Sequence, residues 1–428
     1  MQTNNKLDSV YWFEEKIESS KQLLSDTWAD AVVVGGGMSG LSCADQLQKN
    51  GLRVIILEKS ICGSQASGKS SGFITPDSEL ELSNLITNYG PIKAKKLWDF
   101  VVSGVTKIKQ NIESCNIDCD YQVQDSLYLA NSEKDFKSIE NEHQARKSLG
   151  YESTLYTQTQ LTNVLGSRKY AGGVRYPNTF GINGFAYCQS MKQNLQKKEV
   201  QIYENTEAIS IKNGEVITAH GNVKAKNIII ATDRFIPELG KLKNEIFHAQ
   251  TFLAITKPLT HHEIKSMFPQ DLLMVWDTDL IYQYYRITGD NRLLIGGSDL
   301  LYTYSYKEKH SSSRMLKKLE KYLKEKFSEN HFEIEYLWPG LIGISKDFLP
   351  IAGLDKKTPG LYYIGAAAGL PWCAALGTYI ADKIAYGKND FDKEFSPYRD
   401  FPINNTVQNI LGMPLSFAIS HGLKKYFV

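Results

Sequence analysis

"DAVVVGGGMSGLSCADQLQKNGLRVIILEKS", residues 30–60, decides the fold of this chain. Its apolar run, residues 31–34, is typical of a buried parallel strand, and three glycines follow at GxGxxG spacing before a helical run. Gly35 permits a sharp turn, Gly37 lets the backbone approach a pyrophosphate, and Gly40 lets the helix and the strand pack closely. The pattern predicts a Rossmann-like unit that binds a dinucleotide.

The end of this stretch indicates whether the ribose of the bound dinucleotide is phosphorylated. The helix beginning at Met38 and Ser39 presents unpaired N–H groups that favour the negative charge of a pyrophosphate. A second apolar strand, RVIIL, ends in Glu58, which is suited to accept hydrogen bonds from ribose hydroxyls. A glycine-rich turn alone also arises for packing, but the strands, the helix and the terminal Glu together favour a dinucleotide with an unphosphorylated ribose.

Composition and charge exclude several classes of function. The chain has 428 residues, 42% hydrophobic and 22% charged, which suffices to bury two packed lobes. Its 49 basic and 47 acidic residues leave a formal charge of +2, so there is no electrostatic reason to expect a nucleic acid partner. We expect a globular, enzyme-sized protein, and the charge balance does not indicate its substrate.

The sequence also favours a cytoplasmic location. The first residues lack a basic region followed by an apolar run, and no apolar stretch approaches the ~18 residues that span a bilayer. Any membrane contact would therefore be peripheral. The cysteines have neither zinc-ligand nor CxxC spacing, as in reduced cytosolic proteins, and no metal site is predicted. They are Cys43, Cys62, Cys115, Cys119, Cys188 and Cys373.

A long loop of small residues follows Glu58. It reads KSICGSQASGKSSGFITPD, residues 59–77, and starts at Lys59. Ordinary nicotinamide dehydrogenases do not need such a loop, whereas it could wrap a ribityl chain and a tricyclic ring because small residues let backbone amides reach a cofactor. A flexible surface loop is the alternative interpretation.

This loop resembles the flavin loop of the D-amino acid oxidase superfamily of FAD-dependent oxidoreductases, commonly GASGRNGG. The matching segment is GSQASGKSSGF, residues 63–73, with Lys69 where arginine is usual and Ser70 and Ser71 just after it. Five more segments resemble the family in order: SVYWFEE (9–15), KAKNIIIATDRFIPELG (224–240), YYRITGDNRLLIGGSD (284–299), LWPGLIGISKDFLPIAG (337–353) and GLYYIGAAAGLPWCAALGTYIADKI (360–384). The first is similar to the SYW segment of the γ-glutamylputrescine oxidase-like branch. The resemblance implies that the cofactor is FAD.

The implied fold class is α/β, with a discontinuous Rossmann-like FAD-binding domain of the glutathione reductase type and a second, mostly antiparallel β-sheet substrate domain. The predicted divisions are an N-terminal arm (1–28), the FAD-binding domain (29–95, 179–250 and 339–400), the substrate domain (96–178 and 251–338) and a C-terminal tail (401–428). A hairpin is predicted around Gly289 and Asp290, and an amphipathic helix in SSSRMLKKLEKYLKEKF, residues 311–327, with serine caps.

The resemblance implies oxidation of a C–N bond by hydride transfer to the flavin N5, which leaves an imine or iminium and puts negative charge on the N1 and O2 edge of the ring. A strand ends at Gly365, and Gly369 precedes Pro371, whose fixed φ suits the first turn of a helix. That helix N-terminus is a source of positive potential for the reduced ring.

Three residues are candidates for the chemistry. Trp372 would wall the substrate pocket, or cap its helix against the core. Tyr284 would reach the pocket from the second sheet, or pack within that sheet, and Lys69 belongs to the flavin loop. Family members often have Gly-His-Gly where this chain has Gly369, Leu370 and Pro371, so a mechanism needing a histidine there is in doubt. Hydride transfer from a neutral amine needs none.

A second departure from the family concerns the substrate. Amino acid oxidases of the family commonly carry a GxRP arginine that clamps the substrate carboxylate, and the matching positions here are Ile342 and Gly343. This favours an amine over a simple α-amino acid. Arg286 could supply the charge from the sheet instead, although a buried ion pair with an acidic neighbour is the alternative.

We predict non-covalent FAD, because residues 63–73 contain no histidine and the segment before Asp347 contains no cysteine; Cys373 is interpreted as a small apolar filler. The predicted cofactor-binding residues are Gly35, Gly37, Met38, Ser39, Gly40, Glu58, Lys59, Ser67, Gly68, Lys69, Ser70, Ser71, Gly72, Ala208, Ala231, Thr232, Gly343, Gly365, Gly369, Leu370 and Pro371.

Two alternatives to an amine oxidase or dehydrogenase remain open. The first is an amino acid dehydrogenase, of the D-amino acid or glycine/sarcosine type, that passes electrons to a quinone. The second is a non-catalytic FAD protein that serves as an assembly scaffold. Sequence does not separate O2 from a quinone as the electron acceptor.

Overall fold

The computed structural model describes residues 6–14, 19–77, 80–305, 307–311 and 313–426. Parts of three sequence predictions lie outside these ranges. They are residues 1–5 and 15–18 of the predicted N-terminal arm, Ser312 of the predicted serine caps, and the last two residues of the tail.

The strands of the described residues form three sheets. They are β1 (Lys6–Leu7), β2 (Thr27–Val34), β3 (Val54–Leu57), β4 (Phe73–Ile74), β5 (Gln122–Val123), β6 (Asp125–Ala130), β7 (Thr154–Thr157), β8 (Gly172–Tyr176), β9 (Phe180–Gly181), β10 (Gln201–Tyr203), β11 (Ser210–Lys212), β12 (Glu215–Ile217), β13 (Asn222–Ile230), β14 (Ile246–Pro258), β15 (Leu273–Asp277), β16 (Tyr284–Ile287), β17 (Arg292–Gly297), β18 (Ile334–Ser345), β19 (Ile351–Leu354) and β20 (Leu361–Gly365).

The helices pack on these sheets or connect their strands. They are α1 (Met38–Lys49), α2 (Leu82–Tyr89), α3 (Pro91–Cys115), α4 (Glu133–Ser148), α5 (Gln158–Leu161), α6 (Gly184–Lys197), α7 (His261–Met267), α8 (Leu300–Thr303), α9 (Ser313–Lys326), α10 (Leu370–Tyr386), α11 (Asp392–Phe395), α12 (Asn405–Leu411) and α13 (Met413–Tyr426), with 3₁₀ helices at Tyr11–Phe13 and Asp233–Leu239.

The first sheet is built on a parallel core, β10-β3-β2-β13-β20. The apolar ends of β2 and β3 are buried on both faces, as expected where helices cover a parallel sheet. The hairpin β11–β12 and the strand β19 extend this core in antiparallel fashion. This arrangement is the predicted Rossmann-like domain, assembled from segments that lie far apart in the sequence.

The second sheet has the strand order β1-β18-β14-β17-β16-β15-β6-β8-β7 and is mostly antiparallel, with parallel pairs only at β1/β18 and β15/β6 among the described residues. The hairpin predicted around Gly289 and Asp290 joins β16 to β17. Side chains alternate across the sheet, so Tyr285 is fully buried and its neighbour Tyr284 is half-buried. The predicted fold class is confirmed.

The two large sheets divide the chain at other residues than the predicted boundaries between the FAD-binding and substrate domains. Those domain boundaries remain a prediction. Strand β14 already belongs to the second sheet from Ile246, and β18 stays in it to Ser345. Helix α3, in the segment predicted for the substrate domain, packs in the same core as α1 and α10. Within the described ranges, no helix combines the length and apolarity that crossing a bilayer requires.

Candidate active site

The turn between β2 and α1 is built by close approach of backbone segments. Gly35 has a φ of 108°, and a Cβ there would lie 2.6 Å from the carbonyl oxygen of Ala231, the residue directly after β13. A Cβ at Gly40 would lie 1.9 Å from the Gly35 carbonyl oxygen. Gly37 is the N-cap residue of α1, so the first turn of the helix can approach a ligand.

Glu58 is tied into this turn. Its carboxylate accepts hydrogen bonds from the backbone N–H groups of Gly36 at 2.8 Å and Ser60 at 2.9 Å. Burial raises the pKa of Glu58, and these two hydrogen bonds oppose that shift. The carboxyl end of β3 is thereby fixed next to the N-terminus of α1.

A cavity of about 420 Å³ runs from this turn past the small-residue loop to the end of β20 and the start of α10. Most of the predicted cofactor-binding residues line it: Gly35, Gly37, Met38, Ser39, Glu58, Lys59, Ser67, Ser70, Ala208, Ala231, Thr232, Gly365, Gly369 and Leu370. The structure thus brings together residues from six separate stretches of the chain.

The remaining predicted site residues do not line the cavity in the described structure. They are Gly40, Gly68, Lys69, Ser71, Gly72, Gly343, Pro371, Tyr284 and Trp372. The glycines among them act through packing. A Cβ at Gly72 would lie 1.7 Å from the Ile182 carbonyl oxygen, and one at Gly68 would lie 2.9 Å from the Phe185 ring.

The cavity has features that fit a dinucleotide. Two hydroxyls on its wall, those of Ser64 and Thr232, are buried without a hydrogen-bond partner in the described part of the chain. Such groups call for a partner from a ligand or water. The N-termini of α1 and α10 also meet the cavity, and both favour negative charge. The residues present therefore fit FAD.

The contacts of Arg286 decide between the two interpretations of this residue. Its guanidinium is fully buried and donates to the carbonyl oxygens of Ser71 and Ile182, both at 2.8 Å. Its Nη1 also lies 3.8 Å from the Asp120 carboxylate, and burial lowers the pKa of Arg286 to about 10. Arg286 is therefore committed to the backbone and to a buried ion pair, which was the alternative interpretation.

Trp372 lies on α10 with its ring turned into the core. It is 2% exposed, and its ring centroid is 5.8 Å from that of Phe100 and 5.9 Å from that of Phe395. Pro371 occupies the first turn of α10, as predicted, and its carbonyl oxygen would lie 2.0 Å from a Cβ at Gly104 on α3. This placement favours the packing role of Trp372 over the pocket wall.

Lys69 lies within the flavin loop, residues 63–73, and Tyr284 packs against the end of that loop. The Tyr284 ring lies over Gly296, and its centroid is 5.7 Å from that of Phe73, the last residue of the loop. The Lys69 ammonium pairs with Glu308 at 3.3 Å. Neither side chain lines the cavity in the described structure, so a catalytic role for either one stays a prediction.

Sequence reasoning missed Asp233, which lines the cavity. Its buried carboxylate accepts hydrogen bonds from the backbone N–H groups of Gly343 at 2.8 Å and Ala366 at 2.9 Å. Burial raises its pKa, and these bonds oppose the rise. Asp233 thus joins the ends of β13, β18 and β20 at one point. The signal was its position directly after Ala231 and Thr232.

Sequence reasoning also did not predict that two cations, Lys59 and Arg234, lie against the same aromatic ring near this point. The Lys59 ammonium lies 3.5 Å from the centroid of the Phe235 ring, and the Arg234 guanidinium lies 3.9 Å from it. All three residues line the cavity. Cys373 lines it too, and burial raises the pKa of its thiol to about 12, which agrees with a neutral packing role.

Comparison with known proteins identifies the class. The family described as FAD dependent oxidoreductase (DAO) matches residues 30–383, so the chain belongs to this family, and its cofactor is FAD. The resemblance found in the sequence is thereby confirmed.

Individual relatives cover most of the chain. It is 30% identical over 352 residues to the probable oxidoreductase OrdL of Haemophilus influenzae, covering 80% of this chain and 79% of that protein. It is 26% identical to the γ-glutamylputrescine oxidoreductase of Escherichia coli K12, covering 89% of each. The crystal structure of glycine oxidase from Geobacillus kaustophilus shares the fold, with a TM-score of 0.75 at 19% identity, over 87% of this chain and 99% of that one.

Proposed function

We propose that this oxidoreductase converts an amine to an imine and that its site is not built to hold an α-carboxylate. The observation that carries the proposal is at β18. Ile342 lines the cavity at the position where the family's amino acid oxidases carry an arginine, and the next residue, Gly343, gives its N–H to Asp233. An aliphatic side chain offers no partner to a carboxylate.

Arg286, the arginine considered as a substitute carboxylate partner, supports the same substrate class. Arg286 is buried and bonded to backbone carbonyls, so it does not face a substrate. Lys59, a predicted cofactor-binding residue, and Arg234 line the cavity beside Phe235, where β3 and β13 end. The E. coli relative named for γ-glutamylputrescine agrees with an amine as the reacting group.

FAD, when bound, would supply the oxidant, because its ring can accept a hydride from the carbon next to the nitrogen. The chain contributes position and charge. The N-terminus of α10, capped by Gly369 with a φ of 113°, favours negative charge at the cavity wall. Gly369, Leu370 and Pro371 carry no proton donor or acceptor on their side chains, so this turn supplies no general acid or base, and hydride transfer from a neutral amine needs none. Water would then hydrolyse the imine to an aldehyde and release the nitrogen as ammonia or an amine.

Matched substrate pairs test the carboxylate part of the proposal. Putrescine and ornithine differ only by the α-carboxylate, so the ratio of their rates of flavin reduction isolates its effect. We expect wild type to be reduced faster by the amine, and Ile342→Arg to shift the ratio at least about tenfold towards ornithine, because an arginine at this wall supplies a bidentate partner. Ile342→Leu is the control for packing. Faster reduction of wild type by ornithine would refute this part.

We further propose O2 or a quinone as the electron acceptor and the cytoplasm as the location. The six cysteines are free thiols in the structure, in keeping with a reducing compartment. Oxygen consumption during turnover, measured with and without a soluble quinone, separates the two acceptors. Oxygen uptake that a quinone does not suppress indicates an oxidase, and turnover that requires the quinone indicates a dehydrogenase.

A further inference from the structure

We propose that the 3₁₀ helix Tyr11–Phe13 is part of the cofactor site and that Trp12 is a positioning residue for the flavin loop, residues 63–73. This inference concerns how FAD is held, so it stands or falls independently of the amine substrate. It rests on hydrogen bonds that converge on one short stretch of the loop.

Three consecutive carbonyl oxygens of the loop accept hydrogen bonds from three distant side chains. The indole N–H of Trp338 donates to Lys69 at 3.1 Å, and that of Trp12 donates to Ser70 at 3.2 Å. The guanidinium of Arg286 donates to Ser71 at 2.8 Å. These donors come from β18, the Tyr11–Phe13 helix and β16, so the loop is held by the second sheet and by the amino-terminal segment together.

The three donors are shielded from water. Trp12 is 7% exposed, and Trp338 and Arg286 are fully buried. The two indole rings also pack edge to face, with their centroids 6.4 Å apart. A buried donor whose carbonyl moves away finds no water to replace it, so each of these bonds resists displacement of the loop.

The same helix supports the loop by a second route. The Phe13 ring centroid lies 4.3 Å from that of Phe185, the second residue of α6. Phe185 in turn lies against Gly63 and Gly68, where added Cβ atoms would be 3.5 Å and 2.9 Å from its ring. Ser67 and Ser70 of this loop line the cavity, so a shift of the loop moves the cavity wall.

The helix itself is anchored away from the loop. The Tyr11 hydroxyl donates to Asp290 at 2.6 Å, and the Tyr11 ring packs 5.2 Å from that of Tyr336 on β18. Just before it, β1 pairs in parallel with β18. The amino-terminal segment therefore ties the flavin loop to the edge of the second sheet.

The test compares two tryptophan-to-phenylalanine substitutions. Trp12→Phe removes the donor to Ser70 and keeps an aromatic ring, whereas Trp28→Phe makes the same change in a side chain that is 58% exposed. We expect Trp12→Phe to raise the FAD dissociation constant about tenfold, measured by reconstituting the apoprotein and following flavin fluorescence. We also expect a changed visible circular dichroism of the bound flavin. Trp28→Phe should leave both values as in wild type.

A second variant tests the same proposal if Trp12→Phe does not fold. Trp338→Phe removes the neighbouring donor to Lys69 and should weaken FAD binding in the same direction, even if Trp12→Phe does not accumulate as folded protein. The proposal is overturned if either tryptophan variant folds and binds FAD as wild type does. It is also overturned if Trp28→Phe weakens FAD binding as much as Trp12→Phe, because the effect would then be general destabilisation.

Discussion

Two regions hold the cofactor site together in different ways: the turn at Gly35–Gly40 and the flavin loop at residues 63–73. In the turn, backbone meets backbone so closely that a Cβ at Gly40 would lie 1.9 Å from a carbonyl oxygen. The flavin loop has close backbone contacts at Gly68 and Gly72 too, but side chains from elsewhere also hold its backbone, through the donors Trp12, Trp338 and Arg286.

These two kinds of support respond differently to substitution. At Gly35 and Gly40 the turn tolerates no added Cβ, because both partners of the close contact are main chain and neither can move aside. The flavin loop depends also on buried donors, and each donor contributes a limited amount to its position. We therefore expect all-or-none effects where a Cβ is added at the turn and graded effects where a donor to the loop is removed.

The largest effect is expected at the turn. Gly40→Ala should destabilise the protein by more than about 3 kcal/mol and abolish FAD retention, because its Cβ would overlap the Gly35 carbonyl. The measurements are the thermal midpoint and the flavin content of the purified protein. Gly340→Ala is the matched control, since its Cβ would meet only the Thr251 hydroxyl at 3.8 Å. A stable, flavin-containing Gly40→Ala protein would remove the contrast between the regions.

The next effect is expected at the loop. Arg286→Met leaves the carbonyls of Ser71 and Ile182 without their donor, which should cost about 3 kcal/mol of stability and weaken FAD binding. Urea unfolding and FAD reconstitution provide the two values. Arg314→Met, in an arginine whose side chain is 66% exposed, should cost about 1 kcal/mol or less. Unchanged stability with a raised KM would make Arg286 a substrate ligand instead.

A buried carboxyl in the second sheet, that of Asp277, should make the stability of the protein depend on pH. Burial raises the pKa of Asp277 to about 6, with Asp279 nearby adding to the rise and a hydrogen bond from Tyr322 opposing it. Because the folded pKa lies above the unfolded value, the protonated form favours the folded state. Stability from this group is therefore present below about pH 4 and is lost as the pH rises through 6.

Asp277→Asn removes this dependence. We expect wild type to lose about 2 kcal/mol more than the variant between pH 4 and pH 7, as measured by urea unfolding across that range. Asp271→Asn, on an exposed carboxylate, serves as the control. Parallel pH profiles for wild type and Asp277→Asn would show that Asp277 does not titrate in this window.

The smallest effect on stability is expected at Trp372, which lies on α10 and does not line the cavity. Trp372→Phe should cost about 1 kcal/mol, since a smaller ring leaves part of the aromatic cluster with Phe100 and Phe395 unfilled. The KM for the amine should not change, because Trp372 does not line the cavity. Thermal unfolding and steady-state kinetics check both points. A raised KM with unchanged stability would return Trp372 to the pocket wall.

Local sequence spacing predicted the turn well. Gly35, Gly37 and Gly40 are needed within one βαβ unit, where neighbours in sequence are neighbours in space, and the structure places Glu58 at its predicted position beside them. Helix α10 was likewise predicted from Gly369 and Pro371, since both signals belong to the helix itself.

Long-range contacts were not predictable in the same way. The donors to the flavin loop lie 58, 215 and 269 residues from the carbonyls they bind, so no local pattern reports them. Asp233 was overlooked because its partners, Gly343 and Ala366, come from two other segments. Trp372 was ambiguous because a position in the first turn of a helix does not by itself say which way the ring points.

An anaerobic titration of the FAD-loaded protein with amines and their α-carboxylated counterparts, following the visible absorbance of the flavin, tests most directly whether the protein oxidises amines. We expect at least one amine to bleach the flavin and its carboxylated counterpart to do so more slowly. A protein whose FAD is reduced by dithionite but by none of the amines, or only by α-amino acids, would contradict this expectation.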